Sequence, residues 1–390
     1  MSPRPIDSPL VTPGHRRSKP RSSLRATRSG WGFSAWRRHA QGLLMRPPQV
    51  FKSWLAVALL LFQVSAHTAS IDSLEKVTLG GIAQWILLQG NDTSQPVLLV
   101  LHGGPGYAML PLLHEYNREL EDHFIVVNWD QRGAGRSYNR GIRSASMTLA
   151  RFLSDAHELT DLLKQRFAQN KIYVLGHSWG TVMGLWLINQ YPDDYYAFVG
   201  VGQVVDTIEN EQVMYDWALS QAIAYGNEEG QRQLLYVGRP DDAGEYPRGG
   251  ASGYDIAISW AGYFGGDLWG KHGTGEIEDW LLGTEEYAGK WGLKLRKGWT
   301  FSQVLFDDPA VWNLDFREAV PEVKVPVYFF AGRHDYDTPF ELVEDYYRTL
   351  IAPSKDLLWF ENSAHFPFYE EPELFNSSMI YRVKAETYPQ

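Results

Sequence analysis

The sequence predicts an α/β protein: an eight-stranded, mostly parallel sheet interrupted by an inserted helical cap. Three observations carry this. Short apolar runs alternate with helical patterns over residues 75–202 and again over 325–372. Runs such as 96–101 (PVLLVL) and 325–330 (VPVYFF) are apolar at almost every position, as in strands covered on both faces. Between the two stretches, residues 206–319 break the alternation with helical patterns, a Gly/Pro/Asp-rich loop and seven tryptophans.

In chain order, 75–79 and 83–88 read as an antiparallel hairpin turned by Gly80-Gly81. Strand 96–101 is followed by a loop and helix over 107–120 and a strand over 124–129. Residues 148–167 place Leu149, Phe152, Leu153, Ala156, Leu159, Leu162 and Leu163 at helical spacing. A strand over 171–175, a helix over 181–191 and a strand over 197–201 complete the first part. After the cap come a strand at 325–330, a helix near 340–350 and a last strand at 356–360. The predicted organisation is core over 67–205, cap over 206–319 and core over 320–390.

The N-terminal segment reads as addressing rather than fold. Residues 1–66 hold eleven Lys and Arg against Asp7 alone, a net of +10, while the remainder holds 25 against 45, a net of −20. The acidic body is expected to repel nucleic acid. Residues 1–44, rich in Pro, Ser and Arg, read as a disordered basic leader that is removed or, with a start at Met45, never translated. Residues 45–66 have the layout of a signal peptide: Arg46 and Lys52, an apolar run from Trp54, then Val64-Ser65-Ala66. The run falls short of the roughly 20 residues of a membrane span. Secretion or periplasmic export is the expectation, with an uncleaved signal-anchor as the alternative. The chain has no cysteine, which excludes disulfides and thiolate–metal sites.

The chemistry centres on Gly176-His177-Ser178-Trp179-Gly180. A strand runs into Gly176 and a helix starts just after Gly180, the setting of a nucleophile elbow. The turn leaves no room for side chains at the two glycines and holds Ser178 at the carboxyl edge of the sheet. A serine hydroxyl needs a base, and the base an orienting acid. An elbow of this kind requires the order Ser, Asp/Glu, His, each on a loop after a strand. Asp335 follows the strand at 325–330, and His365 follows the last strand. His365 is the only histidine beyond Asp335. Asp337 is the rival acid, or a cap for the following helix. His102-Gly103-Gly104-Pro105-Gly106 can turn backbone N–H groups inward. The amide of Gly104, with Gly103 as the alternative, would form an oxyanion hole with that of Trp179. His177 reads as pocket wall.

These pieces resemble the α/β-hydrolase fold. More narrowly, His-Gly-Gly-Pro-Gly, Asp130-Gln131-Arg132-Gly133-Ala134-Gly135-Arg136-Ser137, Gly-His-Ser-Trp-Gly and Gly332-Arg333-His334-Asp335 resemble the proline iminopeptidase family of serine aminopeptidases. The resemblance covers the core, about half the chain. It implies Ser178 as nucleophile, Asp335 as acid, His365 as base and a mainly structural Asp-Gln-Arg-Gly loop, with no metal or cofactor. Epoxide hydrolases and dehalogenases of this fold carry Asp at the elbow, which Ser178 argues against. The resemblance weakens in the cap, where that family binds the substrate's free α-amine through acidic residues. Here Asp206, Glu209, Glu211 and Asp216 stand near the cap's start. Glu209 or Glu211 is the candidate amine ligand, against a solvated helix face. The cap tryptophans are expected to be mostly cap core, with some lining an apolar pocket. The expected substrate is a short peptide cleaved at its N-terminal residue, the alternative a small ester or other carbonyl compound. A non-catalytic ligand-binding protein is the remote alternative. An unperturbed imidazole titrates near 6.5, so activity is expected to fall in acid as His365 protonates.

Overall fold

The structure, a computed structural model, describes residues 69–389. The leader over 1–44 and the signal segment over 45–66 lie outside the described residues. No described helix is long and apolar enough to cross a membrane.

Eight strands form one sheet: β1 (Ile71–Leu79), β2 (Ile82–Gly90), β3 (Val97–Leu101), β4 (Ile125–Asp130), β5 (Ile172–His177), β6 (Tyr195–Val201), β7 (Val327–Gly332) and β8 (Lys355–Phe360). Their order across the sheet is β1-β2-β4-β3-β5-β6-β7-β8. β1 and β2 are antiparallel, β2 runs antiparallel to β4, and every other pairing is parallel. Gly80 and Gly81 turn the hairpin with φ of +52° and +76°, as a two-residue turn requires. β3, β4, β5 and β7 are buried at every position, which explains their unbroken apolar sequences. In the parallel part all carboxyl ends lie on one edge, where ligands bind in sheets of this kind.

Helices α1 (Leu112–Tyr116), α2 (Leu149–Arg166) and α3 (Trp179–Gln190) connect the first strands. Thr148 caps α2 by accepting from the Arg151 N–H. α3 is buried along most of its length and shows little amphipathic contrast, as expected of a helix enclosed on all sides. The cap comprises α4 (Thr207–Ala224), α5 (Glu228–Val237), α6 (Ala251–Tyr263), α7 (Gly275–Gly283), α8 (Lys290–Ser302), α9 (Pro309–Trp312) and α10 (Phe316–Ala319). Its two ends meet. The Thr207 N–H donates to Leu314, the Phe316 N–H donates to Val205, and Arg317 pairs with both Asp206 and Asp315. The insertion therefore leaves and rejoins the core at one point. Met214, Tyr215, Ala218, Leu234 and Ala257 give it a small core of its own. α11 (Phe340–Thr349), α12 (Pro367–Glu370) and α13 (Pro372–Ser378) follow β7 and β8.

The Asp-Gln-Arg-Gly segment after β4 acts as an internal tie. Arg132 Nε donates to Asp155 Oδ2 on α2 (2.8 Å), and its guanidinium also reaches the carbonyl of Gly80 (3.2 Å). Gln84 Nε2 donates to the same Asp155 oxygen (2.7 Å), and Trp129 Nε1 donates to Gln84 Oε1 (3.1 Å). Both charged side chains are almost completely buried. Removing one partner would strand the other charge, so Arg132→Ala is expected to cost about 3–5 kcal/mol of stability. A urea unfolding midpoint measured against wild type checks this.

Candidate active site

Ser178 lies between β5 and α3 with φ +53° and ψ −122°, a conformation that costs about 1–3 kcal/mol for a residue with a side chain. Its surroundings impose it. The Ser178 N–H donates to Val201 O (2.9 Å), Thr181 Oγ1 donates to Ser178 O (2.6 Å), and the Val204 N–H donates to Thr181 Oγ1 (3.0 Å). The flanking glycines allow close approach. A Cβ on Gly180 would stand 2.0 Å from Leu101 O, and one on Gly176 would stand 2.4 Å from Gly180 O.

The Trp179 N–H begins α3 and so has no intrahelical acceptor. Gly104, at φ +113°, stands opposite on the loop after β3. Neither amide donates a hydrogen bond within the described chain, and both residues line a cavity that contains Ser178. Gln131 fixes the two loops. Its Nε2 donates to His102 O (3.0 Å), and its Oε1 accepts from Trp179 Nε1 (3.2 Å).

Asp335 and His365 meet across the loops after β7 and β8. His365 Nδ1 donates to Asp335 Oδ2 (2.9 Å), and both side chains are about 2% exposed. Thr338 Oγ1 and the N–H groups of Asp337 and Thr338 also donate to the Asp335 carboxylate, at 2.9, 3.1 and 2.8 Å. Asp337 occupies the other side of the ring, with its Oδ2 3.4 Å from His365 Nε2. No hydrogen bond joins Ser178 Oγ to His365, although both line one cavity. Such contacts are often long before substrate binds.

Burial disfavours a charged His365, yet the carboxylates of Asp335, Asp337 and Asp267 outweigh it and push the ring up to about 10. The acids around the ring thus hold it above the ordinary imidazole value used in the sequence expectation. His177 goes the opposite way. Burial holds it well below its ordinary value, and its Nε2 donates to His365 O (2.9 Å), so it is a neutral wall.

Two cavities open from Ser178. The smaller, about 70 Å³, is lined by Val182, Val204, Phe306, Val311, Trp312 and Glu211, among others. The larger, about 320 Å³, includes Tyr107, Asp255, Asp267, Glu278, His365 and Phe366. Asp337 lines both, and no described lysine or arginine lines either. Asp267, on the loop between α6 and α7, accepts the His365 N–H through its carbonyl (2.9 Å). Its Oδ1 is buried with no partner among the described residues. Burial, then the charge of Asp337, raises its carboxyl well above the usual range.

The two cap acids singled out in the sequence separate. Glu211 is buried in the wall of the smaller cavity, accepts from Tyr246 Oη (3.1 Å), and is pushed up to about 8 by burial. Glu209 pairs with Arg317 (2.8 Å) and lines neither cavity. Of the cap tryptophans, Trp299 and Trp312 line the cavities. Trp217 stacks on Tyr336 (4.2 Å), Trp269 on His334 (3.5 Å), and Trp291 meets Trp85 edge-on. Sequence reasoning missed Asp267 altogether and weighed Asp337 only as a rival triad acid or a helix cap, not as a group facing Nε2.

Comparison with known proteins gives a consistent result. Residues 92–223 match the family model described as Serine aminopeptidase, S33. Probable aminopeptidase YbaC of Bacillus subtilis is 32% identical over 315 residues, spanning 80% of this chain and 96% of that protein. A proline iminopeptidase of Heyndrickxia coagulans is 28% identical over 304 residues, spanning 75% and 92%. Among solved structures, a proline iminopeptidase-related protein of Thermus thermophilus has a TM-score of 0.59 at 19% identity, covering 81% of this chain and 98% of its own. The esterase RhEst1 of Rhodococcus sp. ECU1013 has a TM-score of 0.55 at 17% identity, covering 80% and 99%.

Proposed function

The chain belongs to the proline iminopeptidase-like family of α/β-hydrolases, and on that premise we propose that it is a serine aminopeptidase releasing a small N-terminal residue from short peptides. The observation that carries the reading is a pair of carboxylates, Asp267 and Asp337, facing the cavity beside His365 with no described lysine or arginine to neutralise them. A free α-ammonium supplies the missing charge. A neutral ester brings no counter-charge, leaving Asp337 with His365 as its one partner and Asp267 Oδ1 with none among the described residues.

In the proposed mechanism Ser178 Oγ attacks the carbonyl of the first residue, and His365 Nε2 takes its proton. Asp335 fixes the tautomer and stabilises the imidazolium. The Gly104 and Trp179 amides receive the developing oxyanion. His365 then protonates the leaving amine, and water repeats the sequence on the acyl-enzyme. The leaving nitrogen must sit near His365, so the rest of the peptide extends into the larger cavity. The first side chain enters the smaller apolar one, whose size suits proline or alanine. Glu211, in that cavity's wall, is a further candidate ligand for the amine.

A substrate panel tests this assignment. Prolyl and alanyl arylamides are expected to turn over faster than short-chain nitrophenyl esters. Ester turnover alone would make the protein an esterase.

A further inference from the structure

We propose that Asp337 is a positioning residue that holds the catalytic imidazole out of action in the free enzyme, and that the substrate's α-ammonium releases it. The inference rests on the aminopeptidase reading above. It concerns how the site distinguishes a peptide N-terminus from any other carbonyl compound.

The geometry is specific. Nε2 of His365 must receive the Ser178 proton, yet that nitrogen faces Asp337 Oδ2 at 3.4 Å, while Nδ1 is committed to Asp335. The Asp337 backbone is fixed. Its N–H donates to Asp335 Oδ1 (3.1 Å), and its carbonyl accepts from Asn210 Nδ2 on α4 (2.9 Å). The neighbouring Tyr336 stacks on Trp217 of the cap, and its N–H donates to Gly266 O (3.1 Å). The Asp337 carboxylate has no partner other than His365 among the described residues, and it lines both cavities. It is therefore anchored behind and open to a ligand in front.

The charges around His365 all act in one sense. Asp335 and Asp337 face it from the loop after β7, and Asp267 from the cap. Asp255 and Glu278 line the same cavity from α6 and α7. Glu370 of α12 accepts the N–H groups of Ala364 and Phe366 on either side of it. His177 adds a neutral ring at 4.6 Å. Without ligand the ring is an imidazolium shared between two carboxylates and cannot act as a base. An entering ammonium pairs with Asp337 and Asp267 and repels the imidazolium. The Nε2 proton passes to water, and the freed lone pair turns to Ser178. Loss of one opposite charge in contact lowers a titration by about 1–3 units, so ligand binding is expected to raise the base-competent fraction of His365 at pH 7 by about ten- to several-hundred-fold. A substrate without an ammonium leaves the base locked.

The test is Asp337→Asn assayed on two substrates. With a neutral nitrophenyl ester, the acid limb of kcat/KM should move down by about one unit or more, raising turnover at pH 7 about tenfold. With alanyl arylamide, kcat/KM should fall about 10- to 100-fold through the lost charge-assisted contact. A purely structural residue would lower both, and a parallel loss or an unmoved acid limb overturns the proposal. In case the variant folds poorly, NMR titration of His365 in Ser178→Ala gives a second reading. Its apparent pKa should fall when alaninamide is added, and an unchanged value overturns the proposal. If wild type cleaves esters but no aminoacyl substrate, the aminopeptidase reading fails and takes the ammonium release with it. If it cleaves arylamides while Asp337→Asn behaves as a uniform loss, only the role of Asp337 fails.

Discussion

Ser178→Ala is expected to lower kcat/KM on aminoacyl arylamides by on the order of 10⁴–10⁶-fold, with folding stability changed by no more than about 1 kcal/mol. The large kinetic effect follows from the proposed role, because no other hydroxyl occupies the elbow. The small effect on stability follows from the structure. Ser178 Oγ makes no hydrogen bond to lose, and the strained backbone at φ +53° is held by main-chain contacts that alanine retains. Residues acting as one catalytic unit are far from additive. Adding His365→Ala to Ser178→Ala should therefore change the residual rate little. Comparing the two single variants with the double variant checks the whole triad.

The second large effect is expected at Asp335. Asp335→Asn should lower kcat by about 10⁴-fold, far more than the same change at Asp337. The carboxylate accepts from His365 Nδ1, from Thr338 Oγ1 and from two backbone N–H groups. An asparagine placed there brings its own N–H groups into a shell built of donors. Whichever way it turns, either His365 Nδ1 loses its acceptor or the tautomer inverts and Nε2 carries the proton. Asp337 faces the opposite nitrogen, so its replacement leaves the tautomer intact. The contrast between the two aspartates separates an orienting acid from a restraining one, and rates with a common arylamide measure it.

Most of the core was legible in the sequence, because buried parallel strands leave runs such as VLLVL and VYFFAG that admit few other readings. Boundaries moved by a residue or two at the elbow. The helix begins at Trp179 rather than two residues later, since Gly180 belongs to its first turn. The elbow motif led to Ser178, and topological order led to His365 and to Asp335 with Asp337 as its rival. The acids beside His365 other than Asp335 were a different matter. Asp267 lies in an irregular glycine-rich loop with no periodicity to interpret, and it reaches His365 through a single loop-to-loop contact. Asp337 was visible as an acid near the triad, but which imidazole nitrogen it faces is a matter of coordinates. Glu209 and Glu211 are two residues apart on one helix and so point about 200° apart. Only one could face the cavity. The cation that claims Glu209 is Arg317, more than one hundred residues away in sequence.

The central claim is that the site is built for a free N-terminus, and the most direct test compares alanyl arylamide with its N-acetyl derivative at pH 7. Acetylation is expected to lower kcat/KM by at least about 100-fold, because it removes the ammonium and with it two charge-assisted contacts. Most of that loss should fall in kcat, since the acetylated substrate leaves His365 paired with Asp337. Equal turnover of the two substrates would show that the site does not require a free N-terminus.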